Sequence, residues 1–197
     1  AISDLPFIGS NDESDKYARI AQNDFQKLMR KNAPDKLMDH NSPKNNEKLV
    51  KIMELLPDGG TPLDLPEYLR PTSGFKNTYC RLWWKKPSTT ITRNLGTPSS
   101  SRCIHPKVPR PLTTREGARI QCFPDDYNFF GSRGDRNLQI GNAVPTFLSI
   151  ALAKSILNNF KSDEMLPIQI SNFGGEREIR SQVFVDTRNS RPHLGNE

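Results

Sequence analysis

The longest apolar periodicity in this sequence lies near its end, over residues 143–160, and much of what precedes it is cut into short pieces by proline and glycine. Val144, Phe147, Leu148, Ala151, Leu152 and Leu157 recur at helical spacing and predict one long helix with a buried face. Asn142 stands where an N-cap belongs. Pro145 falls in the first turn, where its missing N–H is not needed. The expected fold is therefore a set of short elements held by loops and closed by one long helix.

Three shorter helices are expected upstream. Tyr17, Ile20, Ala21, Phe25, Leu28 and Met29 predict one over residues 14–31, with Ser14 at its start. Leu49, Val50, Ile52, Met53, Leu55 and Leu56 predict a second over 47–56, stopped by Pro57-Asp58-Gly59-Gly60. Thr113-Thr114-Arg115-Glu116 reads as a capping box, in which the Thr113 hydroxyl accepts from the Glu116 amide and the Glu116 carboxylate reaches back. It opens a helix through about Gln121, ended by Phe123-Pro124-Asp125. Residues 78–84 and 88–93, rich in Thr, Ile, Tyr and Trp, read as strands. Leu166–Ile170 and Gln182–Val185 are weaker strand candidates in the tail. No run of ~18 apolar residues suggests a membrane span, and residues 1–10 do not read as a signal peptide.

Charge is unevenly placed. Residues 1–69 carry a balance of −3, residues 70–136 carry +9, and residues 137–197 are neutral, giving a net +6. A basic middle third favours a polyanion partner, since each neutralised phosphate releases counterions. Within it Arg81, Lys85, Lys86, Arg93 and Arg102 interleave with Tyr79, Trp83, Trp84 and the hydroxyl run Ser88-Thr89-Thr90-Ile91-Thr92. Arginine can fork onto guanine edges or phosphates, and threonine hydroxyls suit phosphate oxygens. A sheet with one basic face and a tryptophan core accounts for the same residues.

Other chemistry is poorly supported. Cys80, Cys103, His105 and Cys122 contain no C-x2-C or H-x3-H pair, so no metal site is expected. Three cysteines cannot build a disulfide framework, and no nucleophile elbow or Walker loop is present. Asp125-Asp126 reads as a solvated turn. Gly141-Asn142-Ala143-Val144-Pro145 reads either as a helix start presenting N–H groups to a carboxylate or phosphate, or as a plain cap.

The run from Arg110 through Asp125 (RPLTTREGARIQCFPD), then Tyr127, Phe130 and Gly131, then Gln139 through Pro145 (QIGNAVP), closely resembles the last two ordered motifs of DNA (cytosine-5-)-methyltransferases. Ala1–Pro6 is similar to the segment opening that family's variable region. Tyr79–Trp83, Pro87–Thr92 and Ile104–Pro106 resemble its target-recognition domain. The resemblance covers roughly residues 1–160. It implies transfer of a methyl group from S-adenosylmethionine to C5 of a flipped-out cytosine in duplex DNA, in a restriction–modification setting. The family's Gly-rich cofactor motif, Pro-Cys nucleophile loop and Glu-Asn-Val segment are not in this sequence, so no catalytic residue is assigned.

The resemblance further implies that Asn142, Ala143 and Val144 border the methionine end of the cofactor. Thr90 and Ile91 match a Thr-aliphatic signature near the flipped nucleotide, and Arg81 stands where a DNA-contacting arginine is common. Lys85 and Arg93 complete the expected DNA-facing set. Arg115 and Arg119 are expected in an internal polar network, and Cys122 occupies a position where the family usually has glycine. The expected class is α+β. A recognition domain of short twisted strands flanked by helices spans 1–138, a cofactor-closing helix spans 139–160 and would pack on a Rossmann-like catalytic domain, and a tail spans 161–197. The expected partners are double-stranded DNA and an N-terminal catalytic half, with no membrane. The expected location is cytoplasmic, at the nucleoid. The competing reading is a sequence-specific DNA-binding module without catalysis.

Overall fold

A computed structural model describes residues 1–72 and 77–160. The tail and its two strand candidates lie outside the described residues. Residues 1–146 form one compact unit, and the stretch from Phe147 onward forms a second. Five α-helices are described: α1 (Asp24–Met29), α2 (Glu47–Leu55), α3 (Thr114–Ile120), α4 (Arg133–Asn142) and α5 (Thr146–Asn159). Short 3-10 turns occupy Pro62–Asp64 and Glu67–Leu69.

The expected strands do not form: among the described residues the chain is mostly helical. What pairing exists is three isolated bridges, Glu13 with Asn41, Arg81 with Ile104, and Ile104 with Pro111. The last two make Ile104 the centre of a small extended cluster. The Leu82 amide donates to the Ile104 carbonyl at 3.0 Å, and the Leu112 amide donates to the Cys103 carbonyl at 2.8 Å. Longer ladders are denied by composition. Pro87, Pro98, Pro106, Pro109 and Pro111 lack the donor a ladder needs, and Tyr79 takes a positive φ of 50°. The expected α+β class therefore gives way to helices packed on irregular, proline-rich segments.

Helix boundaries follow the caps. The Asn46 side chain accepts from the Leu49 amide and opens α2, and Leu56 leaves it in extended geometry before Pro57. Gly59, at φ 72°, turns the chain so tightly under Trp83 that a β-carbon there would lie 2.0 Å from the indole nitrogen. The capping box of α3 forms as expected, with Thr113 and Glu116 satisfying one another's amides.

The 14–31 helix is overturned: only Asp24–Met29 is helical, capped by Asn23. Ser14 instead donates its amide to the His40 carbonyl at 3.1 Å, and Ile20 is 82% exposed. Asn142 is likewise not an N-cap. It is the last residue of α4, whose own start is a capping box between Ser132 and Asp135. Ala143 is extended at ψ 145°, and Val144 precedes a proline, which disfavours helical geometry there. The expected long helix is thus two helices, with residues 143–145 between them not helical. Residues 133–159 pass as a membrane span by length and composition alone. α5 by itself has 14 residues, short of the ~20 a helical span takes.

Two buried clusters hold the first unit. Ile2, Leu5, Leu37, Leu82, Ile91, Leu95, Leu112, Ala118, Phe129 and Ile140 form one, and Ile52, Met53, Leu56, Leu65, Leu69 and Ile104 the other. Each Leu, Ile, Met or Phe side chain among them contributes about 1.5–3 kcal/mol by leaving water.

A buried polar network is centred on α3. Arg110 forks onto Glu116 at 2.7 and 2.8 Å, and donates to the Ile8 and Pro111 carbonyls. Arg119 bridges Asp125 and Asp4, with contacts of 2.6 to 3.2 Å. Burial would lower the Arg119 pKa, but the Asp125 and Asp4 carboxylates raise it. Arg115 donates to the Met38 carbonyl at 2.9 Å and lies 3.7 Å from Asp39. The expected internal role of Arg115 and Arg119 is borne out. Cys122, just past α3, has φ 67°, the left-handed region that favours glycine and a physical reason for glycine at this position.

The network has a pH signature. The His105 Nδ1 accepts from the Lys107 and Val108 amides at 3.0 and 3.1 Å, so the proton sits on Nε2, which faces Glu116 at 3.5 Å. Burial lowers the His105 pKa to about 4, despite Glu116, with Arg110 and Arg81 adding to the depression. Burial also lowers His40. For Glu116 burial acts upward, but the neighbouring His105 and Arg110 bring it down to about 2.

A histidine with a depressed folded pKa binds protons more readily when unfolded. Stability is therefore expected to fall as pH drops from about 6.5 towards 4, at up to about 1.4 kcal/mol per pH unit for His105. Below about 4.5 protonation of Glu116 continues the loss. Urea melts from pH 7 to 4 test this, and a stability flat across that range would contradict it. His105→Gln is expected to flatten the upper part of the curve.

Candidate functional site

Two neighbouring surfaces of the first unit carry most of the expected site residues. One is the irregular loop 85–93. Lys85, Lys86, Ser88, Thr90, Thr92 and Arg93 are exposed on it, while Ile91 turns inward. Ile91 belongs to the larger buried cluster, so it anchors the loop rather than facing a ligand. The other surface is the turn Asn142–Val144. Asn142 and Val144 are exposed and Ala143 is partly so. The turn is held from α3 by Gln121, whose side-chain amide donates to the Ile140 and Ala143 carbonyls at 3.3 and 2.7 Å.

The loop and the turn meet through α4. Ile140 and Ile91 share one buried cluster, and Gly141 lies directly against the main chain of Thr92 and Arg93. Because Asn142 ends a helix, the backbone there offers the carbonyl end of α4. The expected anion site on helix N–H groups at Asn142 is withdrawn. What the turn offers is the exposed Asn142 side chain and the extended backbone of Ala143.

Arg81 is not on this surface. It is 5% exposed, and its guanidinium donates to the His105 carbonyl at 2.6 Å, the Val108 carbonyl at 3.3 Å and the Met53 carbonyl. Its position ties α2 to the Ile104 cluster. Arg102 is also buried, donating to the Gly59 and Arg81 carbonyls and stacking 4.3 Å over Trp83.

Five of the thirteen basic residues between 70 and 136, namely Arg81, Arg102, Arg110, Arg115 and Arg119, are therefore interior. The acidic first third supplies Asp4 and Asp39 to two of them. The charge segregation along the sequence is partly neutralised inside the fold. The exposed remainder at Lys85, Lys86 and Arg93 is what faces outward beside the hydroxyl run.

The described residues hold three free thiols, Cys80, Cys103 and Cys122. Burial raises all three, Cys103 to about 12, whereas a reactive cysteine needs a lowered pKa.

Residues 7–158 match the family model for C-5 cytosine-specific DNA methylase. The type II methyltransferase M.PspPI from Psychrobacter sp. (strain TA137) is 42% identical over 120 residues, covering 56% of this chain and 29% of that protein. M.Eco47II from Escherichia coli is 40% identical over 121 residues, covering 57% of this chain and 29% of the relative. The chain thus spans less than a third of those relatives' length. In fold it is similar to a crystal structure titled as a DNA modification methyltransferase encoded within a prophage (E. coli). That match has a TM-score of 0.58 and 22% identity, over 80% of this chain and 45% of the other. With a family model matched along most of its length, this chain belongs to the C-5 cytosine-specific DNA methylase family.

Proposed function

We propose that this chain is the DNA-recognition and cofactor-pocket-closing part of a DNA (cytosine-5-)-methyltransferase. It works with a catalytic part that supplies the nucleophilic cysteine. The observation that carries this is α5. Phe147, Leu148, Ile150, Leu152 and Ile156 are all between 42 and 57% exposed, and no residue of the helix is buried. A helix apolar on all sides belongs in the interior of a larger protein. A Rossmann-like catalytic domain is the partner in this reading.

The loop carrying Lys85, Thr90 and Arg93 lies against the duplex, where phosphate contacts set register and base contacts set specificity. Asn142, Ala143 and Val144 line the methionine end of S-adenosylmethionine, which supplies the methyl group when bound. Gln121 fixes the path of that turn. Raised thiol pKa values at Cys80, Cys103 and Cys122 support a nucleophile from outside this sequence. The protein's place in the cell follows its substrate, DNA in the cytoplasm.

The test is transfer of labelled methyl from S-adenosylmethionine to mixed-sequence duplex DNA. This chain is assayed alone, then with a separately produced N-terminal catalytic half. No transfer alone and transfer on mixing is the expected result. No transfer in either case, with duplex binding retained, would favour a DNA-binding module that has no catalytic role.

A further inference from the structure

Gly141 is the penultimate residue of α4, and its α-carbon faces the main chain of the loop. A β-carbon built there would lie 2.1 Å from the Arg93 amide nitrogen, 2.5 Å from the Thr92 carbonyl carbon and 2.7 Å from the Arg93 α-carbon. These are backbone atoms, so no change of rotamer relieves the overlap. Gly134, in the same helix, has only the Ser132 hydroxyl oxygen near it, at 3.6 Å. The missing side chain at 141 is therefore a packing requirement, and at 134 it is not.

α4 is also tied to α3, partly through Asn137, which shares the Gly141 face of the helix at i, i+4 spacing. Thr114 of α3 donates to the Asn137 side chain at 2.9 Å, and Gln121 holds the Ile140 and Ala143 carbonyls. Loop, end of α4 and turn 142–144 thus form one stack, with the loop pressed against the bare backbone of Gly141. A displacement of the loop main chain at 92–93 has no side chain to absorb it and passes to the turn.

We propose that Gly141 is a positioning residue that couples the exposed loop 85–93 to the turn 142–144, so that occupation of the loop by duplex DNA orders the turn. Such coupling is reciprocal, and a ligand held at the turn strengthens DNA binding by the same factor. The identity of the two ligands rests on the function proposed above. The mechanical contact does not.

Amide hydrogen exchange on the full chain tests this with wild type, Gly141→Ala and Gly134→Ala, without and with a mixed-sequence duplex. Without DNA, Gly141→Ala is expected to speed exchange across residues 90–94 by about tenfold or more, and Gly134→Ala to leave it within about twofold. With DNA, the wild type is expected to slow at 141–144 as well as at 85–93.

Unchanged exchange at 90–94 in a folded Gly141→Ala protein overturns the coupling. So does a DNA footprint on 85–93 that leaves 141–144 untouched. If Gly141→Ala loses protection throughout α3, the variant has unfolded and the wild-type footprint decides. If wild type shows no footprint at all, the proposed function fails, and the two glycine variants compared without DNA still decide the coupling.

Discussion

Arg119→Met is expected to destabilise the first unit by about 3–5 kcal/mol, the cost of leaving buried charges unpaired. In the native fold the Arg119 guanidinium holds Asp125 through two contacts of 2.6 Å and Asp4 through contacts of 3.0 and 3.2 Å. It also donates to the Ala1 carbonyl at 3.0 Å. Tyr17 donates to the same Asp125 at 2.7 Å, and Arg30 reaches Asp4 at 3.3 Å. Both carboxylates are buried, so removing Arg119 leaves Asp125 with the Tyr17 phenol and the more distant Arg115 at 3.9 Å, and Asp4 with one longer contact to Arg30. The methionine keeps the aliphatic volume, which isolates the electrostatic loss.

For a unit spanning residues 1–146 this corresponds to a drop in Tm on the order of 10 °C. Lys27→Met is the control. Its ion pair with Asp24 has side chains 66% and 97% exposed, and such pairs contribute under about 1 kcal/mol. An Arg119→Met protein melting within a degree or two of wild type would show that the network is not what joins the N-terminal segment to α3.

Arg81→Met and Arg93→Ala are expected to fail in opposite ways. Arg81 donates to the carbonyls of Met53, His105 and Val108 from inside the fold. Losing those charge-assisted bonds should cost about 2–3 kcal/mol of stability. The salt dependence of duplex binding by the folded fraction should stay the same, because no phosphate contact is removed. Arg93 is exposed, so its loss should leave stability within about 0.5 kcal/mol. It should reduce the slope of log affinity against log salt by about one unit. Paired urea melts and binding titrations across salt concentrations check both. A lowered salt slope for Arg81→Met with unchanged unfolding would return Arg81 to the DNA surface.

The contrast between these two arginines marks how far the sequence could be read. Arg81 and Arg93 look alike in the sequence, each basic and each near an aromatic or hydroxyl run. Only the carbonyls of residues 53, 105 and 108, brought round by the fold, separate them. Where the controlling chemistry is local, the reading holds. The Thr113–Glu116 capping box spans three residues and forms as expected, and α2 stops at the Pro57 turn.

Where two local signals compete, the sequence is read less well. Ser132 and Asp135 make a capping box as clear as the one at α3. It announces α4, and with α4 in place Asn142 becomes a helix end rather than a start. The proline-rich stretches from 87 to 111 likewise carried the reason against long strands.

By itself the sequence determined the local caps and stops, and an ordered motif specific enough to name the family, because these depend on residues a few positions apart. Tertiary structure alone decided which basic residues face water. Arg119 is interior because Asp4, 115 positions away, reaches it there. Lys85 and Arg93 are exposed, and among the described residues neither is paired with a carboxylate. A buried charge persists only where the fold delivers its counter-charge or carbonyl partners, and that delivery depends on the folded path of the chain and not on spacing along it.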